Sequence, residues 1–435
     1  MSNKIAILGA GYVGLSAATH FALHGEKVDV YESKSNAGGL ASGIKLEENQ
    51  WAIEPLYHHW FLNEKSIYSL AETHKITNLI KTYSPNTSFF LNGRIKPFDR
   101  PHHVLMYPGL SLYDRYKLGL KLATLKISRN WKYYENFTAE EWLINNMGKN
   151  VYQKMWKPML IAKWADYYNQ INMAWFWARI YVRTQKLMYP DGGFQNFNNK
   201  IVNSLKTMGV SFHFKNSVDS ISSRDNNVEL LINNNNRKIY DKVLITTGPK
   251  SIKSLINNIP DSYKNKINTQ KSMGAICVLF FLKKNLLENT YWLNIPAKNI
   301  DFLKNEIPFL VCVDHTSMIS AKHYNDNRIL YCANYINENS EIFDINDEDI
   351  INIYIKGLKK INPDFKDKNI LKTVVSRTKY ASPVFMKNHS NNLPKFDTFL
   401  DNVYWASMSH IYPWDRGTNY AADIGFKVAK HILKK

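Results

Sequence analysis

Gly9, Gly11 and Gly14 stand in G-x-G-x-x-G spacing, and an acid, Glu32, follows about 20 residues on. Residues of these types at this spacing hold the diphosphate of a dinucleotide. Gly9 permits a tight turn, Gly11 leaves room for a pyrophosphate, and Gly14 lets a helix pack closely on a strand. Free N–H groups at the positive end of that helix meet the negative charge. Glu32 is spaced to accept hydrogen bonds from ribose hydroxyls, and its charge disfavours a 2′-phosphate. Further on, Arg179 and Arg183 lie four residues apart and share a helix face, which suits a diphosphate or carboxylate, or else an ion-paired, solvated surface. His58 and His59 sit between Tyr57 and Trp60, either as hydrogen-bonding groups or as half-buried aromatics.

The elements that must position the glycines are legible around them. A short apolar run, Ile5 to Leu8, precedes the turn. A helix-like segment, Val13 to Leu23, follows and can stop at Gly25, and a second apolar run, Val28 to Tyr31, ends on Glu32. The simplest nicotinamide-binding chain would continue with further strand–helix units. Here no clear alternation returns until about residue 193. The sheet must then be completed late, by Asp241 to Gly248 and by Asn402 to Ala406, the latter followed by a helix from Thr418. A split sheet with a long insertion suits FAD better than NAD, because the flavin end of FAD must reach a second domain.

Three further motifs carry a resemblance. Gly38-Gly39-Leu40 is similar to the GG motif of the flavin amine oxidase superfamily, which includes protoporphyrinogen oxidases, phytoene desaturases and, more distantly, UDP-galactopyranose mutases. Gly192-Gly193-Phe194 resembles the turn that re-enters the FAD domain, and Gly417-Thr418-Asn419-Tyr420-Ala421 resembles the C-terminal flavin-binding segment. The resemblance implies an α/β fold: a Rossmann-like FAD-binding domain, split as in glutathione reductase, with an α+β substrate domain. The FAD-binding parts are expected at 1–62, 192–262 and 398–435, and the substrate parts at 63–191 and 263–397. It also implies that Val218, in NSVDSI, meets the adenine, that Gly248 closes the last strand of the cradle, and that the helix N-terminus at Gly417, Thr418 and Asn419 faces the flavin. His58-His59 and Lys163-Trp164 are similar to mutase segments near the flavin, and Arg416 adds positive charge to the flavin or to substrate. These four, His58, His59, Lys163 and Arg416, are the candidate catalytic residues.

The chain has 435 residues, enough for two or three domains, and a net charge of +19. That charge fits an anionic substrate or membrane surface, or compositional drift toward Lys, Asn and Ile; no nucleic-acid recognition motif is present. The apolar start is short and no run of 18 apolar residues occurs, so no leader or membrane-spanning helix is expected, and the expected location is the cytoplasm with peripheral membrane contact as an alternative. Cys277, Cys312 and Cys332 stand singly in strand-like runs without metal-ligand spacing, and are expected to be reduced core residues. None lies in the C-terminal flavin segment, so non-covalent FAD is expected.

Thr138 with Glu141 marks a capping box, and Asn92-Gly93 a type I′ hairpin turn. Pro158 breaks or kinks a helix between Val151 and Trp164. Residues 111–127 read as a basic amphipathic helix whose Tyr113, Tyr116, Leu120 and Ile127 face is expected to be core, with membrane contact as the alternative. Asp314-His315 and His323 are read as structural, since no third partner supports a triad. The functional readings are a hydride-transferring FAD oxidoreductase acting on a small molecule, anionic or nucleotide-linked; a redox-neutral mutase acting on a nucleotide sugar; and a non-catalytic flavoprotein.

Overall fold

The computed structural model describes residues 2–46 and 49–435. Its first layer is a five-stranded parallel sheet. The order is Val403–Trp405, Lys242–Ile245, Lys4–Leu8, Lys27–Glu32 and Ser211–Phe214. The two late segments expected to complete the sheet do so, on one side of Lys4–Leu8, while Ser211–Phe214 forms the opposite edge. In register, Leu8 lies beside both Ile245 and Tyr31.

These strands read as apolar runs because both faces are covered. On one face Ile5, Ile7, Val28 and Val30 pack against Leu15, Ala18 and Phe21 of the helix Tyr12–Leu23. On the other, Ala6, Leu8, Tyr31, Val243 and Ile245 meet Ile221, Val228 and Leu230 of a three-stranded antiparallel sheet. Each fully buried Leu or Ile contributes about 1.5–3 kcal/mol, so the alternation of faces fixes the register.

The second layer is a seven-stranded sheet. Its order is Ile370–Pro383, Ser272–Leu282, Arg328–Asn337, Val311–Asp314, Trp292–Asn294, Thr87–Leu91 and Arg94–Pro97. Neighbours are antiparallel except Trp292–Asn294 beside Thr87–Leu91. Asn92 and Gly93 both take positive φ in the hairpin, as a type I′ turn requires. The helix Asp347–Ile361 covers one face of the sheet, and Cys277, Leu279 and Tyr331 on the other join the core of the first layer. All three cysteines are free and buried.

A helical layer, from Pro101–Leu105 to Met173–Val182, packs on the seven-stranded sheet through Met273, Ala275 and Tyr335. Its caps are local. Thr138 and Glu141 exchange hydrogen bonds of 2.8 and 3.1 Å as expected, and Ser111 and Asp114 do the same at the start of Leu112–Ile127. Pro158 sits just inside the helix Lys157–Trp164, after one π turn at Tyr152–Trp156. A proline has no N–H for the i−4 carbonyl, and the chain widens there instead of breaking.

One expectation fails. The Tyr113, Tyr116, Leu120 and Ile127 face of Leu112–Ile127 is not core: these residues are 68%, 68%, 52% and 79% exposed. Leu118 and Leu125, on the opposite side, make the buried contact. Two buried leucines suffice to seat a four-turn helix, and the sequence pattern alone does not say which of two apolar stripes points inward. Among the described residues no helix is long and apolar enough to cross a membrane.

Candidate active site

One cavity of about 1060 Å³ runs from the glycine turn, at the C-terminal end of the central strand of the parallel sheet, to the helical layer. At its inner end lie Gly9, Gly11, Glu32, Gly38, Gly39, Leu40 and Gly248. Two helix N-termini open onto it. Gly11 precedes Tyr12–Leu23 and Gly417 precedes Thr418–Leu433, and neither is closed by a side-chain cap among the described residues. Their free N–H groups therefore face the cavity, with the positive ends of two helix dipoles.

Local packing holds this shape. A Cβ on Gly14 would lie 2.0 Å from the Gly9 carbonyl oxygen, so only glycine allows this helix to approach its strand. Gly38 N–H donates to the Ala10 carbonyl at 2.9 Å, which ties the two glycine turns together, and Gly38 and Gly39 both take positive φ. Glu32 accepts from Ala10 N–H and Lys34 N–H, each at 2.9 Å, and still lines the cavity. Its carboxylate is thus held across the turn rather than swinging free.

The cradle fits FAD. Beyond the glycines and helix ends, the cavity wall carries Thr247 Oγ1 and Arg416 Nε, buried atoms without a hydrogen-bond partner among the described residues. Tyr12 Oη is a third, on another lining residue. Buried polar atoms are rarely left so, and a large polar ligand answers them.

At the outer end the cavity collects His58, His59, Lys163, Arg179, Arg183, Asp415 and Arg416. Both histidines are held neutral. Burial drives His58 down to about 4, and its Nδ1 lies 2.6 Å from the Leu56 carbonyl oxygen. Burial, then His58 and two arginines, drives His59 down to about 3, with Nδ1 3.1 Å from the Tyr291 hydroxyl. Lys163 Nζ lies 3.3 Å from the centre of the Tyr335 ring, and the Arg416 guanidinium 5.0 Å from the same ring. Burial and the Arg416 charge hold the Lys163 ammonium well below its usual range. Burial would raise the Asp415 carboxyl, but Arg179, with which it pairs, and Lys163 outweigh that and keep it low. Arg183 is lowered to about 10 by burial and by Arg179. Three arginines and a lysine thus share one wall with one carboxylate.

Of the residues singled out in the sequence, Gly14, Val218 and Asn419 do not line the cavity. Gly14 acts through the close approach to Gly9. Val218 lies in the strand Val218–Arg224 of the small antiparallel sheet, paired with Ile232. Asn419 Oδ1 accepts from Ile67 N–H at 3.1 Å and so closes the start of the helix Lys65–Thr73. Thr418 Oγ1 accepts from Trp60 Nε1 at 2.6 Å. Asp314, His315 and His323 lie off the cavity: Asp314 accepts from Thr316 and Ser317, His315 contacts Tyr324, and His323 stacks on Trp51.

Sequence reasoning missed four residues. Glu54 is fully buried and accepts from Tyr189 Oη and Phe194 N–H, which fastens the segment beside the cavity to the turn at Gly192 and Gly193. A lone acid inside the run Trp51 to Tyr57 was its only signal. Glu64 lines the cavity, and burial pushes its carboxyl up to about 8. Tyr335, under two cations, comes from a strand more than 150 residues from Lys163, a separation at which no local pattern operates. Gly425 lets the C-terminal helix cross the first: a Cβ there would lie 2.3 Å from the Val13 carbonyl oxygen.

Comparison with known proteins gives the family and the fold. The family described as flavin containing amine oxidoreductase matches residues 13–433. The zeta-carotene desaturase of Solanum lycopersicum is 26% identical over 183 residues, which cover 37% of this chain and 31% of that one. The match thus spans about a third of the length of the curated relatives. Reduced UDP-galactopyranose mutase has the same fold, with TM-score 0.78 at 16% identity over 100% of this chain and 96% of that one. A protoporphyrinogen oxidase-like protein from Exiguobacterium sp. 255-15 follows, with TM-score 0.76 at 14% identity over 100% of both chains.

Proposed function

This chain belongs to the flavin-containing amine oxidoreductases, enzymes with FAD as cofactor, and we propose that it oxidises a small molecule with an apolar body and an anionic end. The observation that carries this reading is the continuous cavity that joins the dinucleotide cradle to a wall of Lys163, Arg179, Arg183 and Arg416. When bound, FAD would supply the two-electron acceptor for a hydride from a substrate C–H, with oxygen or another acceptor as the final oxidant.

The chain's own residues place and charge the partners. Gly9, Gly11 and Gly39, with the N–H groups of Tyr12 and Val13, would hold the diphosphate, and Glu32 the ribose hydroxyls. The N-terminus at Gly417 and Thr418 would stabilise negative charge on the isoalloxazine ring, and no covalent link is needed to keep the cofactor in place. Arg416, whose Nε has no hydrogen-bond partner among the described residues, and Arg183 would seat the anionic end of the substrate, while Asp415 neutralises Arg179. His58 and His59, both neutral, offer hydrogen bonds without adding charge. Lys163 Nζ, its ammonium destabilised by burial, is the group poised to accept a proton from a substrate amine or hydroxyl.

A second reading rests on the same cationic wall. Four cations also suit a nucleotide diphosphate sugar, whose isomerisation would need the cofactor reduced and consume no acceptor. Turnover of nucleotide sugars by dithionite-treated enzyme, set against oxygen uptake by untreated enzyme across amines and carboxylic acids, separates the two. Product formed only under reduction, with no oxygen consumed, overturns the oxidoreductase reading.

A further inference from the structure

Leu112, Tyr113, Tyr116, Leu120 and Ile127 are the most exposed large apolar side chains of one helix, at 83%, 68%, 68%, 52% and 79%. At about 100° per residue they fall within a single arc of about 100°, one continuous stripe rather than scattered positions. Met106, 67% exposed, follows the adjoining helix Pro101–Leu105. Scattered exposed apolar residues are ordinary, but a stripe of this kind opposite the buried Leu118 and Leu125 of the same helix is not.

Charge names the partner. Residues 101–133 contain six lysines and arginines against one acid, Asp114. Lys117 and Lys121 border one edge of the stripe, with the Lys117 ammonium 5.5 Å from the Tyr113 ring, and Arg129 and Lys132 lie exposed beyond its C-terminal end. Lys126, at the other edge, is occupied: it donates to the carbonyls of Ile180, Tyr181 and Arg183. Pairing this face with a second copy of itself would set like charges against each other around the apolar stripe. An anionic lipid surface complements both features: it takes the apolar stripe at the acyl boundary, the tyrosines at the headgroups and the lysines at the phosphates.

We propose that Leu112–Ile127, with Met106, is the face on which this enzyme lies on an anionic membrane. The inner sides of the same two helices supply Val104, Leu105 and Leu122 to the wall of the cavity, so a docked molecule would present that wall to the bilayer. The proposal does not depend on which substrate is oxidised.

Co-sedimentation of the full-length flavin-loaded protein tests it, with vesicles of phosphatidylcholine mixed with phosphatidylglycerol and with vesicles of phosphatidylcholine alone. Binding to the mixed vesicles alone is expected, weakening as salt rises. Lys117→Glu with Lys121→Glu should lower vesicle partitioning by about 10-fold or more. Leu112→Ser with Tyr116→Ser and Ile127→Ser should lower it by about 100-fold. In both variants the flavin spectrum and circular dichroism should be unchanged, since none of these five residues lines the cavity. Absence of binding by the parent protein overturns the proposal, as does binding that survives the triple substitution. A parent dimer that the triple variant dissolves in sedimentation velocity, with vesicle binding unaffected, would give the stripe to a second copy instead.

Discussion

Lys163 shows how far residue identity reads into chemistry here. Its neighbour Trp164 marked the segment, and the ammonium lies in the cavity beside Arg416, with the Tyr335 ring beneath both cations. Because burial holds its proton affinity down, activity should rise with pH through an apparent value well below 10.5. Lys163→Met should remove that limb and lower kcat by about 100-fold or more, measured as a pH profile of parent and variant. The histidine pair and Lys163 stood out by similarity to mutase segments and Arg416 by its place beside the C-terminal flavin segment, and all four line the cavity. Glu64 and Tyr335 did not stand out, because what matters about them is burial and a contact across the chain, neither of which a local pattern carries.

Among elements, the strand–turn–helix at Lys4–Leu23 was the most legible, because three glycines and an acid each have a steric or charge reason to be where they are. Gly14→Ala should cost about 1–3 kcal/mol of stability through overpacking against the Gly9 carbonyl, read as a lower midpoint in urea unfolding. Asn419 reads differently in three dimensions. Its carboxamide is committed to Ile67 N–H, so Asn419→Ala should cost about 1 kcal/mol as a lost cap and leave flavin content unchanged. The helix Leu112–Ile127 was legible as a helix but not in its orientation, since both of its apolar stripes satisfy the same periodicity.

For the whole molecule, burial of titratable groups sets how stability responds to pH. Burial drives His58, His74, His389 and His410 to about 4, and His59 and His315 to about 3. Below the ordinary value of 6.5 the unfolded chain takes up protons that the folded chain refuses, so stability falls as pH drops from about 6.5 toward 4. Glu54 and Glu64 act oppositely. Raised to about 7 and about 8 from 4.5, they stay protonated when folded, and stability is lost as pH rises across that interval. With six histidines against these two acids and Asp314, whose carboxyl burial raises to about 6, the melting temperature should climb from about pH 4.5 to 6.5 and turn over near pH 7, with Glu64→Gln softening the alkaline decline. The late completion of the parallel sheet by Lys242–Ile245 and Val403–Trp405 is what brings such distant segments to one cavity. The measurement that tests the account most directly is the cofactor released from purified parent protein and from Gly11→Val, identified by mass and compared with circular dichroism. A Cβ on Gly11 meets only the Gly39 Cα, at 3.8 Å, so the variant should fold, while the rest of the valine projects where the diphosphate would lie. The account predicts one FAD per parent chain and a folded variant without it; a folded Gly11→Val that retains FAD, or a parent that releases only another nucleotide, would contradict it.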